Sequence, residues 1–123
     1  MLHTNSVAIV TDSGGDATVY LGSNVLGWIE RIKYLPGTIA TGGDLVITGE
    51  TSGVPILTVT NAGTANIFWY PRVFPNSVAD AAAGTVPAHR VPLTGERVKV
   101  VVAQGGATKT GSIELVYDDD VHG

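Results

Sequence analysis

The chain has 123 residues, 44% of them hydrophobic and only 15% charged, with a formal net charge of −4 and no cysteine. That length suits one domain with its own core, while a charge content well below the roughly 25% usual in soluble domains points to a surface partly covered by a protein partner. Seven Lys and Arg residues scattered along the chain make no stripe to displace counterions from nucleic acid, no run of about 18 apolar residues offers to cross a bilayer, and the missing cysteines exclude a disulfide framework, a thiolate metal site and a cysteine nucleophile. Neither nucleic acid nor a membrane is therefore expected as a partner.

Met1-Leu2-His3-Thr4-Asn5-Ser6 has no basic region followed by an apolar one, so no secretory signal is expected. Residues 1–6 are expected to form a flexible polar arm. Short pieces rich in Val, Ile, Thr and Tyr follow, separated by Gly and Pro. They predict strands at Val7–Thr11, Ala17–Leu21, Trp28–Leu35, Asp44–Gly49, Ile56–Thr60, Ala65–Tyr70, Arg97–Ala103 and Ser112–Tyr117. Trp28, Ile29, Ile32 and Leu35 would also share one helical face, but the run is short, β-rich and stopped by Pro36-Gly37, which favours a strand.

Asp12-Ser13-Gly14-Gly15-Asp16 links the first two runs. It lacks the spacing of a calcium-binding EF-hand loop and is expected to be a hairpin turn, with Asp side chains bonded to nearby backbone. Pro71–Pro92 holds Pro75, Pro87, Pro92 and the run Ala79–Ala83. A short helix over Val78–Ala83, capped by Ser77 and closed by Gly84, is the one helix the sequence allows. Otherwise this is a long loop of the sort that touches a partner.

The clearest alternation comes last. Val98, Val100 and Val102 alternate with Arg97, Lys99 and Val101; Ile113, Leu115 and Tyr117 alternate with Ser112, Glu114 and Val116. Period two on both sides of Ala103–Ser112 predicts an antiparallel hairpin with one buried face. The glycines of that connection mimic the start of a phosphate-binding loop. Position 112 is Ser where the motif needs Lys, and the next segment alternates as a strand where the motif needs a helix N-terminus. A plain turn is expected.

No catalytic constellation emerges. His3, His89 and His122 lack zinc-site spacing, no G-x-S-x-G surrounds a serine, and Asp44, Glu50, Glu96 and Glu114 are scattered carboxylates. Asp118–Asp120 read as a solvated tail. The aromatics carry more information. Phe68 and Tyr70 face one side of their strand and Trp69 the other, so both faces offer large apolar area. One face would meet the core and the other a partner. Trp69, Tyr70, Arg72 and Phe74 are the candidate interface residues, with Arg72 as an anchor beside the rings. Trp28 or Trp69 could alternatively stack against a sugar.

Val10-Thr-Asp-Ser-Gly-Gly-Asp-Ala-Thr-Val-Tyr20, Gly27-Trp-Ile-Glu-Arg-Ile-Lys-Tyr34, Gly43-Asp-Leu-Val-Ile-Thr-Gly-Glu-Thr51 and Glu96-Arg-Val-Lys-Val-Val-Val-Ala-Gln-Gly-Gly-Ala-Thr-Lys-Thr-Gly-Ser-Ile113 together resemble a family of small structural proteins of tailed bacteriophages. The resemblance covers most of the chain, and Pro71–Pro92 matches a loop of that family in position. It implies a non-enzymatic decoration, or cement, protein made in the bacterial host cytoplasm and bound to the capsid surface of the virion. It would clamp major capsid protein subunits and associate with itself as a homodimer or homotrimer, with no cofactor. A carbohydrate-binding module of a fibre or spike, and a neck or tail-completion protein, are the alternatives. The motifs are structural, so no site residue carries over.

About eight short strands with Gly/Pro turns, and at most one short helix, imply an all-β sandwich or barrel; the resemblance implies an antiparallel β-sandwich, jelly-roll-like. Residues 7–117 would make one domain, with a long loop at 71–92 and an acidic tail at 118–123.

Overall fold

The computed structural model describes residues 1–73 and 89–119. Among them the fold is all-β, with seven strands and no helix: β1 (Leu2–Val10), β2 (Ala17–Leu35), β3 (Asp44–Gly49), β4 (Pro55–Val59), β5 (Ile67–Trp69), β6 (Pro92–Ala103) and β7 (Thr110–Asp118). Every pairing is antiparallel. The helix expected over Val78–Ala83 lies outside the described residues.

The strands form one continuous hydrogen-bonded sheet in the order β1-β7-β2-β6-β3-β4, with β5 added to β2. The strand that makes it continuous is β2. Its first part pairs with β6, from Ala17↔Val102 to Trp28↔Pro92. Its second part pairs with β7, from Trp28↔Asp118 to Leu35↔Ser112, and with β5. Ala17–Leu21 and Trp28–Leu35 are thus one strand, where the sequence suggested two.

The register slips between Leu21 and Val25 and again between Val25 and Leu26. Such bulges bend a strand and raise its twist. Gly27 sits there at φ +132°, and a Cβ on it would stand 2.1 Å from the Asp118 carbonyl oxygen. Only glycine lets β2 and the end of β7 approach so closely.

One face of the sheet supplies the core. Ile9, Ile29, Ile32, Tyr34, Ile113 and Leu115 come from the half built by β1, β7, the second part of β2 and β5. Leu21, Leu45, Ile47, Val98, Val100 and Val102 come from the half built by the first part of β2, β6, β3 and β4. All belong to one buried cluster, so the sheet curls around a single interior. The alternation expected over Arg97–Val102 holds residue by residue; that over Ser112–Tyr117 holds as far as Leu115 and then breaks, Val116 being buried and Tyr117 half-buried.

The expected hairpins are corrected. β6 and β7 do not pair with each other; each pairs with β2. β1 likewise pairs with β7 and not with β2. Both glycine-rich connections are therefore crossovers from one half of the sheet to the other, and they brace each other. Gly105 N–H donates to the Gly15 carbonyl (2.8 Å) and Thr108 N–H to that of Asp12 (3.0 Å). Thr11 Oγ1 donates to the Gly106 carbonyl at 2.6 Å and accepts the Lys109 N–H at 2.7 Å. Within the first crossover Asp12 Oδ1 accepts the N–H groups of Gly14 (2.8 Å) and Asp16 (3.0 Å), as its residue type predicted. These bonds, that from Asp16 first, hold the Asp12 carboxyl below its ordinary pKa.

The N-terminal arm expected at 1–6 is instead the first half of β1. Leu2–Val10 runs in unbroken register with β7, from Leu2↔Asp118 to Val10↔Thr110. The polar Thr4 and Ser6 fit a strand because they occupy its exposed face. The acidic tail is also partly tied down. Asp118 is the last residue of β7, the Met1 ammonium lies 3.1 Å from both Asp118 and Asp119, and His3 Nε2 lies 2.6 Å from Asp119 Oδ2.

Candidate interaction surface

β5 is the short outer strand beside the second part of β2, in the register Ile32↔Trp69, Lys33↔Phe68 and Tyr34↔Ile67. Strand parity then sorts its aromatics. Trp69 turns inward and stacks on buried Tyr34, with ring centroids 5.6 Å apart and planes at 16°; such a pair adds about 0.5–1.5 kcal/mol beyond area burial. Burial raises the Tyr34 hydroxyl pKa. Phe68 and Tyr70 turn outward and remain 45% and 59% exposed, with Ile67 and Val73 exposed nearby.

Two cations border this face. The Arg31 guanidinium lies 5.2 Å and the Lys33 ammonium 5.4 Å from the centre of the Phe68 ring. At exposed sites each such contact contributes about 0.5–1 kcal/mol. Glu114 stands opposite Lys33 in register on β7, yet neither Arg31 nor Lys33 has an ion pair among the described residues. The result is an exposed aromatic strip bordered by two cations that have no ion pair among the described residues, on a molecule of formal net charge −4.

Of the residues expected at an interface, Tyr70 is on this surface and Trp69 supports it from beneath. Arg72 is not an outward anchor. Its Nη1 donates to the carbonyls of Pro71 (2.8 Å), Glu30 (3.1 Å) and Ile29 (3.5 Å), and its Nη2 lies 3.8 Å from the Glu30 carboxylate. It ties the chain leaving β5 to the bulge of β2 at Glu30. Phe74 lies outside the described residues. Phe68, Arg31 and Lys33 are the members the sequence analysis missed. The shared side of Phe68 and Tyr70 was the available signal; the pairing of β5 with β2 decides that this side faces out.

The two tryptophans considered for sugar stacking each have one face covered. Trp69 lies on Tyr34, and the Arg90 guanidinium sits 5.3 Å from the Trp28 ring centre. Arg90 itself pairs with Glu30 and lies 3.6 Å from Asp118.

Three of the four scattered carboxylates, Asp44, Glu50 and Glu96, have structural partners. Asp44 Oδ1 accepts the Asn61 N–H (2.9 Å), and Glu50 pairs with Arg97 at 2.5 Å. Glu96, buried, accepts the N–H groups of Thr51 (2.9 Å) and Ser52 (3.0 Å) and the Ser52 hydroxyl (3.2 Å) through one oxygen. Those bonds, the Ser52 N–H foremost, lower its pKa and close the β3–β4 turn. No group of three or more His, Asp and Glu placed to hold a metal occurs among the described residues.

His3 stacks on Tyr117, with centroids 5.0 Å apart, and shares an open depression of about 330 Å³ with Asn24, Leu26 and Asp119. The hydrogen bond to His3 is the main cause that lowers the Asp119 pKa. His89 meets Val73 through backbone bonds of 2.8 and 3.1 Å. Comparison with family models, with curated proteins and with solved structures finds no match for this chain.

Proposed function

We propose that this chain is a non-enzymatic structural protein of a bacteriophage virion, a capsid decoration protein that grips the outside of the head. The observation that carries this reading is the Phe68–Tyr70 strip. It is exposed, backed by a stack of Trp69 on Tyr34, and edged by Arg31 and Lys33, which have no ion pair among the described residues. Apolar rings backed by such a stack and bordered by cations suit a protein surface that presents its own apolar patch ringed by Asp and Glu. The resemblance of the crossover and strand motifs to small virion proteins supports the same role, and names the major capsid protein as the partner.

The test is binding to undecorated heads. The wild-type chain should saturate a fixed number of sites on them, and Phe68→Ser with Tyr70→Ser should lose that binding while the circular dichroism spectrum is unchanged. Equal decoration by the double variant would sink the assignment of this face. Absence of any wild-type binding to heads, with saturable tryptophan fluorescence changes on adding host polysaccharide, would replace the role by sugar recognition.

A further inference from the structure

Strands at the rim of a sheet carry unpaired backbone groups that invite another strand, and proteins blunt such rims with brevity, proline, charge or bulges. Among the described residues, two of the three rims are blunted. β4 is five residues long and begins at Pro55, and β5 is three residues long and is followed by Tyr70-Pro71. β1 is not: it runs nine residues, Leu2–Val10, with no proline, no lysine, no carboxylate and no register slip.

The direction of its backbone is fixed by the bonds at its two ends. Thr11 N–H donates to the Lys109 carbonyl (2.9 Å) and the Met1 carbonyl accepts the Asp119 N–H (3.1 Å). Odd-numbered residues therefore bond toward β7. The N–H and C=O groups of Leu2, Thr4, Ser6, Ala8 and Val10 point the other way, where β1 has no strand partner among the described residues. All five residues are exposed.

We infer that this rim is a self-association site, at which β1 of a second copy adds antiparallel across a twofold axis centred on Ser6. Three features of the strand select this occupant. A twofold axis at Ser6 sets Ser6 opposite Ser6, Thr4 opposite Ala8 and Leu2 opposite Val10. The outward backbone groups then face each other as hydrogen-bonded pairs, so every unpaired donor and acceptor of the rim is used.

Leu2 and Val10 are 62% and 58% exposed at opposite ends of the strand. The same register brings Leu2 of each copy against Val10 of the other and covers both. Charge agrees as well, since no acidic or basic side chain stands on the outward face of β1 and no like charges would meet. A self-complementary patch of this kind is what a twofold interface requires. The site is independent of the role proposed above, because β1 and β5 lie at opposite rims of the same half of the sheet.

The test is the mass of the full chain in solution at micromolar concentration, by sedimentation velocity. A dimer is expected. Ser6→Pro removes an outward N–H and leaves the bonds to β7 intact, so it should raise the dimer dissociation constant by at least about tenfold. Ser6→Lys, which sets two ammonium groups opposite each other, should do the same if the proline variant fails to fold. Phe68→Ser should leave the dimer in place.

The register is read separately. Since the chain has no cysteine, a short bismaleimide should join Ser6→Cys copies. It should fail on Val10→Cys copies, whose thiols would stand about 27 Å apart at 3.4 Å per residue. A monomer, a trimer, a dimer indifferent to both Ser6 variants, or cross-linking at Val10→Cys alone would each overturn the inference.

Discussion

The outer faces of the two halves of the sheet both set a cation on an aromatic ring, and they end differently. Beside β6, the Arg97 guanidinium lies 3.9 Å from the centre of the Tyr20 ring and is itself held by Glu50. Ring, cation and carboxylate form a closed set that asks nothing of the surroundings. Beside β5, Arg31 and Lys33 flank Phe68 with no ion pair among the described residues, and the ring stays 45% exposed. The same contact thus serves cohesion on one side and leaves an exposed aromatic surface on the other. The difference lies in a third residue and not in the ring or the cation.

The strongest break of this arrangement is at the place where β2 passes from one half to the other. Gly27→Ala forces a Cβ into the Asp118 carbonyl at a positive φ and should destabilise by on the order of 3 kcal/mol or more, measured by urea unfolding. Next comes Glu96→Gln, on the closed half, which should lower the thermal midpoint at neutral pH by several degrees. Because the folded-state pKa of Glu96 lies below its ordinary 4.5, its contribution is full above that value and is lost as the pH falls through the lower folded value. Wild type and Glu96→Gln should therefore converge in midpoint under acid conditions, and parallel pH profiles would show that the carboxylate charge is not what holds the β3–β4 turn.

Smaller still is Arg97→Ala, which should lower the midpoint by a few degrees with head binding unaffected. Arg31→Ala should cost about 0.5–1 kcal/mol and Phe68→Ser about 1–2 kcal/mol, the cation–ring contacts that each removes, and Arg31→Ala should reduce head binding severalfold, more so at low salt. If Arg97→Ala impaired docking and Arg31→Ala did not, the contrast between the two faces would be reversed.

Much of the sheet was legible from residue order, and the failures share a cause. Alternation at Val98, Val100 and Val102 states which side chains are buried, and Asp44–Gly49 was bounded to the residue. Alternation does not state which strand lies alongside. The glycine-rich loops after Val10 and Ala103 therefore read as hairpins, although each carries the chain across the core to the other half. Gly22–Gly27 likewise read as a gap between strands, because a bulge and a break use the same residue. At the candidate surface, the sequence separated Phe68 and Tyr70 from Trp69, but which side faced water depended on Ile32 lying opposite Trp69. Arg72 was misjudged for a related reason: its bonds go to the backbone carbonyls of Ile29, Glu30 and Pro71, which no side-chain pattern announces.

The length of β2 has a consequence for the birth of the molecule. Its main partners, β6 and β7, both begin after residue 91, so β2 leaves the ribosome well before either of its ladders can close. Folding should then be slow, and a chain cut before Thr110 should aggregate instead of maturing.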